Sequence, residues 1–135
     1  MDDPRWLSRK IVEAIHDDQL QQHGGLPGVR DEGAVESALA RPRHLWTYGE
    51  EDDLDAARLA AANGVGIARN PGYRDGNKRT AFMAMYVFLK LNGYRIEADQ
   101  PAVVDLMRAV AEGNCSEQEL SEWLREHSVP SESSS

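Results

Sequence analysis

From Ala81 to Leu89 the sequence runs without a charged residue, AFMAMYVFL, and only Lys90 interrupts it before Leu91. A helix made of such a run has no polar side, so it must be enclosed by other elements. It is far short of the roughly 20 residues that cross a bilayer, which makes it the axis of a water-soluble core and not a membrane span. A second segment, residues 54–68, is rich in alanine, has high helix propensity and carries small side chains that allow close helix packing. It is expected to lie beside the first near the centre.

The remaining segments read as helices that cover these two. Leu7, Ile11, Ala14 and Ile15 recur at helical spacing and predict a helix over about residues 6–20, stopped by Gly24-Gly25-Leu26-Pro27-Gly28. Asp31 is a good N-cap for a short helix burying Val35, Ala38 and Leu39, and Arg41-Pro42 is expected to end it. Residues 44–53, with the acidic run Glu50-Glu51-Asp52-Asp53, read as an irregular connection and a solvated helix start. Asn92-Gly93 stops the apolar helix and Tyr94-Arg95-Ile96 is a short extended link. Asp99 then caps a helix presenting Val103, Leu106, Met107 and Val110. Ser116 with Glu119 makes a capping box for a last helix burying Leu120, Trp123 and Leu124. Trp6, Trp46 and Trp123 are expected in the core or a groove, and Met83 with Met85 in the core. No run is strong enough to build a sheet. The expectation is an all-α fold, a compact bundle of about six helices over residues 1–126, with residues 127–135 a disordered tail.

Composition narrows the function classes. Fifteen Lys and Arg against 23 Asp and Glu leave a net charge of −8 among 135 residues, which argues against direct nucleic-acid binding. Cys115 is the only cysteine, so neither an intramolecular disulfide nor a multi-thiolate zinc site is possible. With Met1-Asp2-Asp3 lacking the basic start of a signal peptide, a cytoplasmic location is expected.

One stretch opposes the global charge. Residues 69–80, RNPGYRDGNKRT, gather Arg69, Arg74, Lys78 and Arg79 around Asp75, between the two central helices. Gly76-Asn77 stands where the second begins, so free amides and the positive end of the helix dipole are available to a phosphate. Lys78 and Arg79 suit phosphoryl oxygens, and Asp75 suits a Mg²⁺ held by one carboxylate. The same residues also admit a plainer reading, in which Asp75 caps a helix and the cations are solvated. A P-loop is excluded, because Asn77 separates Gly76 from Lys78.

Asp75-Gly76-Asn77-Lys78-Arg79-Thr80-Ala81, with Tyr73 at an aromatic position before it, resembles the signature of the Fic/Doc superfamily in its Doc (death-on-curing) branch. Gly24-Gly25-Leu26-Pro27-Gly28-Val29-Arg30-Asp31 and Glu36-Ser37-Ala38-Leu39-Ala40-Arg41-Pro42 resemble the same branch. The resemblance implies a bacterial toxin, paired with a Phd-type antitoxin, that uses ATP to phosphorylate a threonine of elongation factor Tu and halts translation. It assigns Mg²⁺ to Asp75, phosphate to the backbone at Gly76 and the Asn77 side chain, phosphoryl charge to Lys78 and Arg79, and an anchoring role to Tyr73. Thr80 is read as structural. Relatives that transfer AMP carry glycine where Lys78 stands, so Lys78 favours a kinase over that alternative.

Pro71 departs from the pattern. It occupies the position, four residues before Asp75, where the family has the histidine that takes the proton from the target hydroxyl. Tyr73 is a poor substitute, with an unperturbed pKa of about 10. His16, His23, His44 and His127 lie outside the motif and read as packing or exposed residues. The chain is therefore expected to be a largely inactive copy, disabled by one substitution, with a natural non-catalytic pseudoenzyme that binds antitoxin or nucleotide as the rival reading.

Overall fold

The computed structural model describes residues 2–49, 51 and 54–131. Among these residues there are six helices, and five begin where a short polar side chain takes up a free amide. Ser8 caps α1 (Arg9–His23) and Asp31 caps α2 (Glu32–Tyr48). Asp55 caps α3 (Ala56–Arg69). The exception is α4 (Asn77–Leu91), which starts at Gly76 with no side-chain cap. Asp99 caps α5 (Gln100–Glu112), and the Ser116–Glu119 capping box opens α6 (Glu117–Glu126).

The all-α bundle expected from the sequence is the fold observed, with α3 at its centre, packed against α2, α4, α5 and α6. Every residue of α3 from Ala56 to Ala68 except Arg58 is buried. Its small side chains are what admit neighbours so closely: a Cβ on Gly64 would lie 2.3 Å from the Met85 sulfur of α4.

Four expectations need correction. The first helix starts at Arg9, after the Ser8 cap, and turns Val12, His16 and Gln19 inward, leaving Ala14 exposed and Ile11 and Ile15 half-buried. Pro42 does not end α2, which continues to Tyr48. Proline has no N–H to offer the carbonyl four residues back, and that carbonyl, Ala38 O, instead accepts from the Asn63 side chain of α3 at 3.0 Å. The helix survives because a neighbour fills the gap.

The apolar helix α4 is likewise not enclosed all round. Thr80, Ala81, Ala84, Met85, Phe88 and Leu89 are buried, whereas Phe82, Met83 and Tyr86 are half-buried and face a groove. Met85 is core as expected and Met83 is not. Finally, Tyr94–Ile96 is a strand, β1, paired antiparallel with β2 (Ser128–Pro130), so regular structure continues past residue 126 into the expected tail. Residues 132–135 of that tail, and Glu50, Asp52 and Asp53 of the acidic run, lie outside the described residues. Glu51 pairs with Arg58 at 2.8 Å.

Candidate active site

The segment between α3 and α4 is held from both sides. Gly72 O accepts from the amides of Arg30 (2.7 Å) and Asp31 (3.0 Å), and Arg74 N–H donates to Gly28 O at 3.1 Å. Val29 and Tyr73 form an isolated antiparallel bridge. Residues 24–31 and the motif loop that carries Tyr73 and Asp75 are therefore one structural unit.

Within it, Asp75 Oδ2 accepts from Leu26 N–H at 2.8 Å. A Cβ on Gly25, whose φ is +125°, would lie 3.1 Å from Asp75 Cβ, so the glycine is required for this approach. Asn77 turns its side chain back onto the loop: Oδ1 accepts from Tyr73 N–H at 3.1 Å and Nδ2 donates to Tyr73 O at 2.9 Å. In this conformation the Asn77 amide fixes the loop, where a phosphate contact was expected.

Tyr73 is 1% exposed, as suits an anchor, with its ring stacked on His16 at 3.8 Å and 15°. Its hydroxyl donates to Glu13 Oε1 at 3.3 Å. Burial, followed by the charge of Glu13, pushes the phenol well above its ordinary range against the opposing pull of Arg9. It stays protonated and is no base near neutral pH.

What the loop leaves open is the start of α4. Among the described residues the amides of Gly76, Asn77, Lys78 and Arg79 have no acceptor, the first helical N–H to find one being Thr80, on Gly76 O at 2.9 Å. Lys78 and Arg79 are exposed here. Lys78 makes no hydrogen bond or ion pair with a described residue, and Arg79 reaches Gly24 O at 3.3 Å. Four open amides at a helix N-terminus and two exposed cations make a set that suits an anion. Arg69 does not belong to it. Its guanidinium is spent on Val110 O, at 2.9 Å, and on Cys115 O, tying down the connection between α5 and α6.

Pro71 is half-buried and lines a polar cavity of about 580 Å³ with Arg30, Asp31, Ser37 and Asn70, and Arg30 donates to Pro71 O at 3.3 Å. No histidine lines that cavity. Asp31 is its carboxylate, and Oδ1 caps Ala34 N–H at 3.1 Å. His127 stacks on Trp123 at 4.0 Å and His44 on α2 lies beside Tyr48. The other two histidines lie nearer the motif: His23 lines the groove that Lys78 and Arg79 also line, and His16, 2% exposed, donates from Nε2 to Asp75 O at 2.8 Å. The burial of His16 was missed with the inward face of α1, and its four-residue spacing from Val12 is the signal that could have found it. Which neighbour it would meet carries no such signal.

The groove itself, about 480 Å³, is lined by Phe82, Met83, Tyr86, Val103, Val104 and Met107, with Lys78, Arg79 and Arg108 among its cations. No helix among the described residues is long and apolar enough to cross a membrane.

The site thus belongs to an all-α bundle in which a glycine-started helix with open amides and exposed cations follows a loop clasped by residues 28–31. The Fic/DOC family profile matches residues 6–89, more than half of the chain, and the chain belongs to that family. Its relatives include the protein kinase doc of Escherichia phage P1, 34% identical over 121 residues, which cover 90% of this chain and 94% of the relative. Toxin Doc of Mycolicibacterium smegmatis is 40% identical over 94 residues, 68% of this chain and 72% of the relative. This is a chain of the Doc-toxin type.

Proposed function

We propose that this chain carries the framework of a toxin kinase that transfers the γ-phosphoryl group of ATP to a threonine of elongation factor Tu, and that Pro71 leaves this copy without its general base. The observation that carries the reading is the open row of amides from Gly76 to Arg79 with Lys78 beside it and a proline, not an imidazole, at position 71. In the transfer the threonine oxygen bonds to phosphorus, the bond from phosphorus to the ADP oxygen breaks, and the hydroxyl proton must pass to an acceptor. Positioning and charge stabilisation carry most of such a reaction, and the residues for both remain. The proton acceptor is what Pro71 lacks.

The donor set fits a Mg²⁺ held with the nucleotide. Asp75 Oδ2 is taken by Leu26 N–H but its second oxygen is not, and no group of three metal-ligating side chains exists among the described residues. That suits an ion taking one carboxylate, phosphate oxygens and waters. Held through Asp75, such an ion would supply charge neutralisation to the phosphate oxygens. An antitoxin of the Phd type would lay an amphipathic helix along the groove of Phe82, Met83, Tyr86 and Met107, a recognition mode that needs such an apolar trough.

The test is Pro71→His, assayed with purified elongation factor Tu and ATP labelled at either the α- or γ-phosphate. The restored protein should gain about 10² to 10⁴ in rate, the usual contribution of a general base, with label arriving on threonine from the γ-position. Label from the α-position would replace the kinase reading with AMP transfer and reassign Lys78. No transfer, together with no growth arrest when Pro71→His is expressed without antitoxin, would leave a non-catalytic binding module.

A further inference from the structure

We propose that His16 is a positioning residue that sets the direction of the Asp75–Gly76 peptide, and so aims the Gly76 amide at the phosphate. The inference rests on the phosphate site proposed above. A carbonyl oxygen can only accept, so at 2.8 Å from Asp75 O the Nε2 of His16 must carry the hydrogen. No peptide among the described residues is cis, and in a planar trans peptide the N–H points opposite to the C=O. His16 lies inside, on the buried side of α1. Holding the carbonyl inward therefore turns the Gly76 N–H outward, in line with the open amides of Asn77, Lys78 and Arg79.

The glycine alone does not make that choice. Gly76 sits at φ +77° and ψ 15°, and with no Cβ it tolerates conformations on both sides of the map. A flipped Asp75–Gly76 peptide would present a carbonyl oxygen, the negative end of its dipole, to the phosphate. The imidazole opposes the flip because an inward N–H would leave Nε2–H of a ring only 2% exposed without its acceptor. The ring is itself held: it lies flat on Tyr73, whose backbone is clasped by Asn77 and whose hydroxyl is tied to Glu13. A Cβ on Gly76 would stand 3.8 Å from the imidazole, an ordinary contact. The coupling between the two residues is thus the hydrogen bond and not a steric fit.

The experiment is a titration of the full ¹⁵N-labelled chain, Pro71 retained, with Mg²⁺-ATP and separately with inorganic phosphate, following the Gly76 and Asn77 amide resonances in wild type, His16→Phe and His16→Gln. Phenylalanine keeps a ring for Tyr73 to stack on and removes the donor; glutamine restores a donor without the ring. The wild-type Gly76 amide proton should shift downfield and saturate. In His16→Phe that shift should be lost and nucleotide affinity should fall about tenfold, the scale of one hydrogen bond, with His16→Gln recovering most of it. Equal Gly76 shifts and affinities in wild type and His16→Phe would overturn the proposal and leave the phosphate site standing. No response at wild-type Gly76 would overturn both. Should His16→Phe fail to fold, the wild-type imidazole spectrum decides: an Nε2–H coupled to the Asp75 carbonyl supports the assignment, and a ring protonated at Nδ1 alone overturns it.

Discussion

At the scale of single residues, the candidate site divides into groups that hold and groups that remain free. Asn77, Tyr73 and His16 are committed to one another and to the loop backbone, whereas Lys78 is not engaged by any described residue. Lys78→Ala should therefore weaken Mg²⁺-ATP binding by roughly 1.5–3 kcal/mol at most, the worth of one charged hydrogen bond, without lowering the melting temperature. Arg79→Ala should weaken it too, while also releasing Gly24 O. Calorimetric titration beside a thermal melt measures both. Unchanged affinity in the two variants would return the cations to the plainer reading of a solvated helix start. Thr80, expected to be structural, is fully buried with its hydroxyl unpartnered among the described residues, so it takes no part in the open surface of the site.

At the scale of elements, α2 and α3 correct each other. Pro42 removes one hydrogen bond from α2, and Asn63 crosses from the centre of α3 to satisfy the carbonyl left behind. Both residues are buried, so neither water nor a surface group can take over. Asn63→Ala should cost about 1–3 kcal/mol, because it strands Ala38 O in the core. In a Pro42→Ala background, where residue 42 can donate to Ala38 O itself, the cost should shrink. A double-mutant cycle by denaturant unfolding measures the difference, and additive effects would mean that the Asn63 contact is incidental. From sequence, Arg41-Pro42 reads as a stop and residues 44–53 as a connection; the compensating amide lies 21 residues beyond Pro42 and is invisible to any local pattern.

At the scale of the whole molecule, charge joins helices that are distant in sequence. Glu117 of α6 pairs with Arg58 of α3 at 2.5 Å and with Arg41 of α2, and Asp55 receives Arg125 of α6 at 2.7 and 3.0 Å while capping α3. Burial works to raise the Asp55 carboxyl, but the bonds from Arg125 and the Arg58 amide outweigh it and hold the group below its ordinary value. A carboxyl depressed in the folded state stabilises above its unfolded pKa, about 3.9, and loses that contribution as pH falls through the folded value. Asp55→Asn keeps a good N-cap and removes the ion pair. Its cost at pH 7 should be at most about 1 kcal/mol, since the pair is nearly half exposed. The gap between variant and wild type in thermal melts should close as pH drops below about 4. A gap that persists at lower pH would place the effect in packing and not in charge.

Local sequence is enough for the all-α class, the two central helices, three of the five side-chain caps and the composition of the motif loop, because each depends on residues within a turn or two of one another. Capping, helix propensity and an apolar run act locally, and Asp31, Asp99 and Ser116 behave as local rules require. Packing across the molecule is what tolerates Pro42, opens one face of α4 as a groove and pairs residues 128–130 with 94–96. It also takes Arg69 out of the cationic cluster to two carbonyls between α5 and α6, and brings a histidine of α1 to Asp75 across 59 positions. Each of these turns on a polar group finding its partner across the core, and a buried donor or acceptor is satisfied by whatever the fold brings near it, at no fixed distance along the chain.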